Sequence, residues 1–326
     1  MLAEPLPPLL DRRLIIVTGK GGTGKTTVAA ALAVAAARQG RTVLVAEVGG
    51  QAQIPQRIRP EHAIGGETTR DLLPGLTALQ IDPFDALAEY LGLQTHLRGV
   101  VDLVFRSRSF TGLLEATPGW RELITLGKLW HLAQQQNADG APLYDLIVVD
   151  APSTGHGLTF LDVPRVVGSA VRAGPLRAHA RRVEELVRDP ARTLLLPVTL
   201  AEELPALETL ELLQRAREEV GVAVDRVIAN AVMPDPLPEP LPCDLEARLR
   251  SLGDNLTLGS VPAPSVLAAC SGHLSARHRL NLGYVEQLRR RCDAPIVTLP
   301  YRPGDVSGAE ALSDFAQPLL AARATP

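Results

Sequence analysis

Apolar residues along the chain collect in short unbroken runs separated by longer stretches with helical spacing. The runs are Leu14 to Val17, Thr42 to Ala46, Leu76 to Ile81, Leu146 to Val149, Leu194 to Val198, Val224 to Ala229, Leu256 to Val261 and Ile296 to Leu299. They are short and rich in β-branched residues, so they read as strands buried on both faces, the pattern of a parallel sheet covered by helices. Helical spacing fills Val28 to Ala37, Phe84 to Leu97, Val100 to Phe105, Arg121 to Gln135, Ala206 to Glu219, Asp244 to Ser251, Ser275 to Arg291 and Ala309 to Ala322, with a basic helix inside Pro164 to Arg188. Strand alternating with helix predicts an α/β fold of right-handed parallel units. Gln51 to Gly75, with prolines, glycines and no periodicity, reads mostly as loop, and Met233 to Pro242 as a proline-rich surface segment.

Between the first strand and the first helix stands Gly19-Lys20-Gly21-Gly22-Thr23-Gly24-Lys25-Thr26-Thr27. Strand, glycine loop and helix in that order are the context a phosphate-binding loop requires. The glycines let successive backbone N–H groups turn inward around an anion. The helix that follows adds its unpaired N-terminal amides and its dipole, worth roughly 0.3–1 kcal/mol for one exposed negative charge. Lys25 is placed to reach the outer phosphates, and the Thr26 hydroxyl to hold Mg²⁺. Leu146 to Val149 then delivers Asp150 to the carboxyl edge of the sheet, where a carboxylate orients Mg²⁺ or its water. Gly155 and Gly157 leave the next segment, Ala151 to Gly157, free to change backbone state. Such freedom is what a sensor of the outer phosphate needs.

Composition sharpens the reading of the loop. The chain has three lysines, Lys20, Lys25 and Lys128, against thirty arginines, and two of the three lie in this loop. Arginine is broad and forked, whereas a lysine ammonium on its slim stem enters a tight phosphate cradle. A net charge of −3 leaves no nucleic-acid footprint, and no apolar run approaches the length of a membrane span. Cys243, Cys270 and Cys292 are widely spaced, with no C-x-x-C, which points to a reducing cytoplasm and to neither a disulfide framework nor a zinc site. The 326 residues could hold two average domains or, equally, one large α/β domain with insertions, and their 46% hydrophobic content is enough for a substantial core; residues 1–12 read as a frayed, proline-stiffened tail. Asn230, at a strand end, has an amide that can donate to and accept from one adenine edge, but it also suits a turn. His273 and His278 read as surface residues.

A lysine directly after the first glycine makes the loop resemble the deviant phosphate loop shared by Min-type and partition ATPases, the nitrogenase iron protein, and the arsenite-pump and tail-anchored-protein-targeting ATPases. In that class this lysine crosses a dimer interface to the partner's nucleotide; the alternative for Lys20 is a solvated loop charge. Further stretches narrow the resemblance to the arsenite-pump and tail-anchored-targeting family. They are Ala78 to Leu91, Thr117 to Leu129, Asp150 to Pro164, Val198 to Leu213, Val227 to Pro234 and Leu299 to Leu312, in the family's order along almost the whole chain. The resemblance implies a parallel sheet wrapped by helices, with a helical subdomain from insertions at about 84–138 and 160–190. It implies ATP and Mg²⁺ as ligands, Thr154 to His156 with Asp150 in the second switch, Asn230 against adenine, and Pro300, Tyr301 and Asp305 in the loop over the base.

Three departures bear on function. The stretch from Asp150 to Val198 is short for a relative with a large groove for a transmembrane helix. Neither a C-x-x-C dimer clasp nor the pump's arsenite cysteines are in the sequence. Gly49 stands where the family's first switch carries its water-positioning aspartate. Glu47 is the acid nearest to it, on the same strand face but roughly 6–7 Å back. The sequence therefore points to a cytoplasmic Mg²⁺-dependent ATPase working as a nucleotide-gated homodimer, or as a heterodimer with a homologue, on an unidentified protein cargo. A nucleotide-binding regulatory subunit with weak hydrolysis stands beside that reading. A partition or septum-positioning ATPase is a third, with no terminal basic amphipathic helix in its favour.

Overall fold

The computed structural model describes residues 8–49, 52–61, 69–95, 119–170, 173–235 and 261–321, together with 107, 112, 114, 116, 247, 251, 257 and 258. The helices expected over Val100 to Phe105 and Asp244 to Ser251 lie essentially outside them. An eight-stranded sheet runs through the molecule in the order β10-β7-β6-β1-β5-β2-β4-β3. Its strands are β1 (Leu14–Thr18), β2 (Val43–Val48), β3 (Thr69–Leu73), β4 (Leu76–Ile81), β5 (Leu146–Asp150), β6 (Thr193–Leu200), β7 (Val227–Val232) and β10 (Ile296–Pro300). Every pairing is parallel except that of the edge strand β3 with β4.

The apolar runs are buried on both faces because helices cover both. On one face lies α1 (Lys25–Arg38), whose residues from Val28 to Ala36 are all buried. A helix this uniformly apolar must be enclosed on every side. The sheet supplies one wall, and α9 (Ala309–Ala321) supplies another with Leu312, Phe315, Ala316 and Leu319. The opposite face carries α4 (Trp120–Gln134), α5 (Thr154–Ala170) and α6 (Pro175–Arg188), with α3 (Pro83–Thr95) against α4. Leu126 and Leu129 of α4, Phe160 of α5 and Val183 of α6 share one apolar cluster with the sheet residues Ile147, Val149 and Leu195. These helices fall within residues 83–134 and 154–188. The helix α7 (Glu203–Arg215) follows β6, and α8 (Ala263–Arg291) precedes β10.

Several elements depart from the sequence reading, each for a local reason. Within Gln51 to Gly75, read mostly as loop, the described residues include two regular elements, α2 (Ile54–Ile58) and β3. The short helix exists because the buried Glu47 carboxylate accepts the Gln53 and Ile54 N–H groups at its start, a cap supplied from another element. The described residues of the apolar run Leu256 to Val261 do not join the main sheet as a core strand; β8 (Thr257–Leu258) and β9 (Val261–Pro262) pair antiparallel in a separate two-stranded sheet. The tail expected over residues 1–12 is already packed at Leu9 and Leu10, which are buried in a 3-10 turn, and Arg12 is fully buried. Gly155 and Gly157, expected in a loop, lie in the first turn of α5. Each glycine costs a helix about 1 kcal/mol relative to alanine, so that turn is weakly held. Pro164 lies inside α5, and the basic helix expected within Pro164 to Arg188 is α6.

Candidate functional site

The site forms where β1, β5 and β2 end side by side. Residues 19–24 leave β1 and turn into α1, with Gly19, Gly22 and Gly24 at φ of 147°, 83° and 92°. Gly19 has no room for a side chain: a Cβ would stand 2.0 Å from the Val198 carbonyl oxygen of β6. At Gly24 a Cβ would meet the Asn230 amide nitrogen at 2.3 Å. Gly24 is also the residue preceding α1, and no side chain caps the helix there, so the first amides of α1 remain available to an anion.

The polar residues of the loop are held by its own backbone. The Thr23 hydroxyl donates to the Lys20 carbonyl at 2.9 Å, and Lys25 Nζ donates to the same carbonyl at 3.1 Å. Lys25 is thus curled over the loop it would serve. Burial lowers its pKa, and the Asp150 carboxylate opposes that shift. Thr26 Oγ1 donates to Asp150 Oδ2 at 2.6 Å. Asp150 Oδ1 is buried and has no hydrogen-bond partner. Burial raises the Asp150 pKa, while the Thr26 hydroxyl, Lys25 and Arg57 pull it back. Thr27 follows in the first turn of α1 and is half-buried.

Parallel register sets Glu47 beside Asp150 on adjacent strands. Its Oε1 accepts the Gln53 and Ile54 N–H groups at 2.7 and 3.1 Å, which lowers its pKa, but burial prevails and raises it, with help from the Asp150 charge. Gly49 follows the end of β2 at φ 75°, and nothing lies within 4 Å of where its Cβ would be. It borders a cavity of about 330 Å³ that also touches Asp82, Arg121 and Pro152.

On the other side of the loop, Asn230 lies inside β7 rather than at its end, and its Nδ2 donates to the Thr23 carbonyl at 2.9 Å. The next residue, Ala231, has φ 53°, and the β10 register shifts between Thr298 and Pro300. Both irregularities lie toward the carboxyl ends of β7 and β10. Pro300 ends β10, and the exposed Tyr301 donates its N–H to the Val232 carbonyl. Asp305 lies farther along that loop, its carboxylate held by Arg57 at 2.6 Å. Lys20, half-exposed, pairs with Glu208 of α7 at 2.5 Å. Neither Glu208 nor Arg57 is legible as a site residue, since they meet their partners across 188 and 248 residues of chain.

The residues present fit a magnesium ion. A hydroxyl and a carboxylate give hard oxygen ligands, and the buried, unpartnered Asp150 Oδ1 is an acceptor in want of a cation. Mg²⁺ suits such a site because it keeps several waters and takes few protein ligands.

Fold and site together define a phosphate-loop nucleotide-binding α/β protein. Residues 12–176, just over half the chain, match the family model of the anion-transporting ATPases. The chain is 36% identical over 225 residues to the ATPase BagA of Mycobacterium tuberculosis, an overlap covering 68% of this chain and 66% of that protein. It is 29% identical over 262 residues to an arsenical pump-driving ATPase of Acidiphilium multivorum, covering 72% of this chain and 41% of that one. It is 23% identical to the ATPase get3 of Schizosaccharomyces japonicus over 98% of both. The chain belongs to the anion-transporting ATPase family, and it spans about two thirds of the length of the mycobacterial relative.

Proposed function

We propose that the chain binds and hydrolyses ATP with Mg²⁺ and uses the bound nucleotide to drive closure of a dimer, with itself or with a homologous ATPase. The observation that carries this reading is the Thr26 to Asp150 contact of 2.6 Å, with the second Asp150 oxygen buried and unpartnered at the mouth of the glycine loop. In phosphoryl transfer the protein mainly positions groups and stabilises charge. Mg²⁺, when bound, neutralises the outer phosphates. The amides of residues 21–26 and the start of α1 would hold phosphate oxygens, and Lys25 would exchange the Lys20 carbonyl for an outer phosphate. Asn230, Pro300, Tyr301 and Asp305 would line the base. Lys20 would leave Glu208 to reach the partner's nucleotide, so closure exchanges one ion pair for another.

A second reading, a regulatory subunit that binds nucleotide and hydrolyses it slowly, is favoured by a specific observation. Gly49 has no side chain to position water, and the Glu47 carboxylate already caps α2. Relatives bear the names arsenical pump-driving ATPase and ATPase get3; the cargo proposed for this chain is a protein. Among the described residues no helix is long and apolar enough to cross a membrane. Turnover by the purified protein, alone and with a homologue, separates the two readings. Brisk hydrolysis by the chain alone supports the enzyme, and hydrolysis only in the mixture supports the regulatory subunit.

A further inference from the structure

A cavity of about 420 Å³ opens in the helical layer between α3, α4 and α6, and no residue of the phosphate loop lines it. Its walls are aromatic where the three helices come closest. The His179 ring of α6 contacts Tyr90 of α3 and Trp130 of α4, with ring centroids 5.4 and 5.7 Å away. Gly127 of α4 makes room for that ring, since a Cβ there would meet His179 Nε2 at 2.5 Å. A glycine inside a helix costs stability relative to alanine, and here it admits an imidazole. Burial, and then the neighbouring Arg182 charge, lower the His179 pKa, so at neutral pH the imidazole packs as an uncharged ring.

The cavity is apolar at one end and charged beyond it. Phe84 meets Trp120 at the starts of α3 and α4, and Glu89 meets Lys128 farther along, so the two helices run in the same direction. Ala86 is therefore level with Ile124, and the α4 wall from Ile124 to His131 is about 10 Å long. Lys128 stands within that wall and is the chain's one lysine outside the phosphate loop. As in that loop, a slim ammonium leaves space that a forked guanidinium would fill. Across from it on α6 is the exposed Arg182, which makes no ion pair or hydrogen bond among the described residues. Lys128 and Arg182 against Glu89 leave one positive charge in excess.

We propose that this cavity binds a small aromatic monocarboxylate, its ring against Tyr90, Trp130 and His179 and its carboxylate on Lys128 and Arg182. A concave site of about 300–1,000 Å³ with mostly apolar walls and a few placed polar groups is the ordinary form of a small-ligand pocket. Aromatic walls take another ring edge-on or offset-stacked. A single excess charge among such walls matches a monoanion, where a phosphate would call for more cations and donors. The site stands apart from the proposed nucleotide chemistry and does not depend on it.

The test titrates the full chain with cinnamate and with its neutral amide, cinnamamide, by ligand-observed NMR. Cinnamate should bind with a dissociation constant on the order of 0.1–1 mM, as suits a ligand of its size. Cinnamamide should bind about tenfold more weakly, because a hydrogen bond to a charged acceptor is exchanged for one to a neutral acceptor. Lys128→Met, which keeps the apolar stem, should weaken cinnamate about tenfold and leave cinnamamide unchanged. Arg182→Gln, at an exposed position, should act in the same direction and serves if Lys128→Met fails to fold. Ala178→Phe, also exposed, projects a ring into the cavity and should abolish binding of both with an unchanged melting temperature. Lys25→Ala should bind cinnamate like the parent. No saturable cinnamate binding below about 10 mM, equal affinity for the amide, or undiminished binding by Ala178→Phe would each overturn the proposal. Loss of binding in Lys25→Ala would place the anion in the phosphate loop and overturn it too.

Discussion

Replacing Gly49 by aspartate would supply the carboxylate that the sequence resemblance leads one to expect at this position, and the structure sets both its cost and its room. The backbone at Gly49 has φ 75°, and an added Cβ would touch nothing within 4 Å. The cost is therefore conformational rather than steric, about 1 kcal/mol for an L-residue in the left-handed region, where aspartate is among the better tolerated. Spread over a chain of 326 residues, that is on the order of 1–2 °C of melting temperature. The gain is in the barrier. A positioned water can be worth on the order of a hundredfold in rate, equivalent to about 2.7 kcal/mol. Single-turnover hydrolysis of radiolabelled ATP at saturating protein should rise by about that factor in Gly49→Asp, with ATP affinity little changed. A folded variant that binds ATP like the parent and hydrolyses it no faster would refute the argument that Gly49 is the missing positioning group.

Further outcomes follow from the contacts of individual residues. Glu47→Gln keeps an acceptor for the Gln53 and Ile54 N–H groups and should change parental hydrolysis little. Glu47→Ala leaves both without it and should cost about 1–3 kcal/mol in denaturant unfolding. If parental turnover is brisk and Glu47→Gln abolishes it, Glu47 is the working residue. Asp150→Asn should stabilise the nucleotide-free protein at neutral pH and abolish the effect of Mg²⁺ on nucleotide binding. The folded-state pKa of Asp150 is raised, so ionisation costs the parent stability as pH rises through that pKa. The advantage of Asp150→Asn should accordingly grow over that window and vanish below the ordinary carboxylate range; denaturation curves with no such pH dependence would contradict the burial argument. Lys20→Ala should bind ATP but lose nucleotide-driven dimerisation in sedimentation. Glu208→Ala, releasing a half-exposed ion pair worth about 0.5 kcal/mol, should strengthen that dimerisation about twofold.

What could be read from the sequence was what local pattern encodes. The run Leu14 to Val17, the glycine loop and the alanine-rich helix each announce themselves over adjacent residues, and Leu76 to Ile81 is bounded by turn residues on both sides. Most of the site follows from these, because a motif residue's place is fixed by its own strand and helix. The remainder depends on partners distant in sequence. The five-residue α2 is too short for a helical period and starts where Glu47 reaches it from β2. The partly exposed strand β3 has its register set by β4 rather than by its own alternation. The apolar Leu256 to Val261 run carries the signature of a core strand, yet its described residues pair only in a separate two-stranded sheet. Asn230 shows as a polar residue near a strand end, but its bond to the Thr23 carbonyl, 207 residues away, becomes visible only in the folded chain. The partners of Lys20 and Asp305 become visible only once the chain has folded.

The most direct test of the central claim is thermal unfolding of the full chain with and without ATP and Mg²⁺, in the parent and in Lys25→Ala. A ligand that binds only the native state stabilises it by about 2.7 kcal/mol at a hundred times its dissociation constant. For 326 residues that is about 4 °C. The account predicts a shift of this size in the parent, reduced by omission of Mg²⁺ and absent in Lys25→Ala at the same nucleotide concentration. A parent that melts at the same temperature in saturating ATP and Mg²⁺, or a Lys25→Ala variant with an undiminished shift, would contradict it.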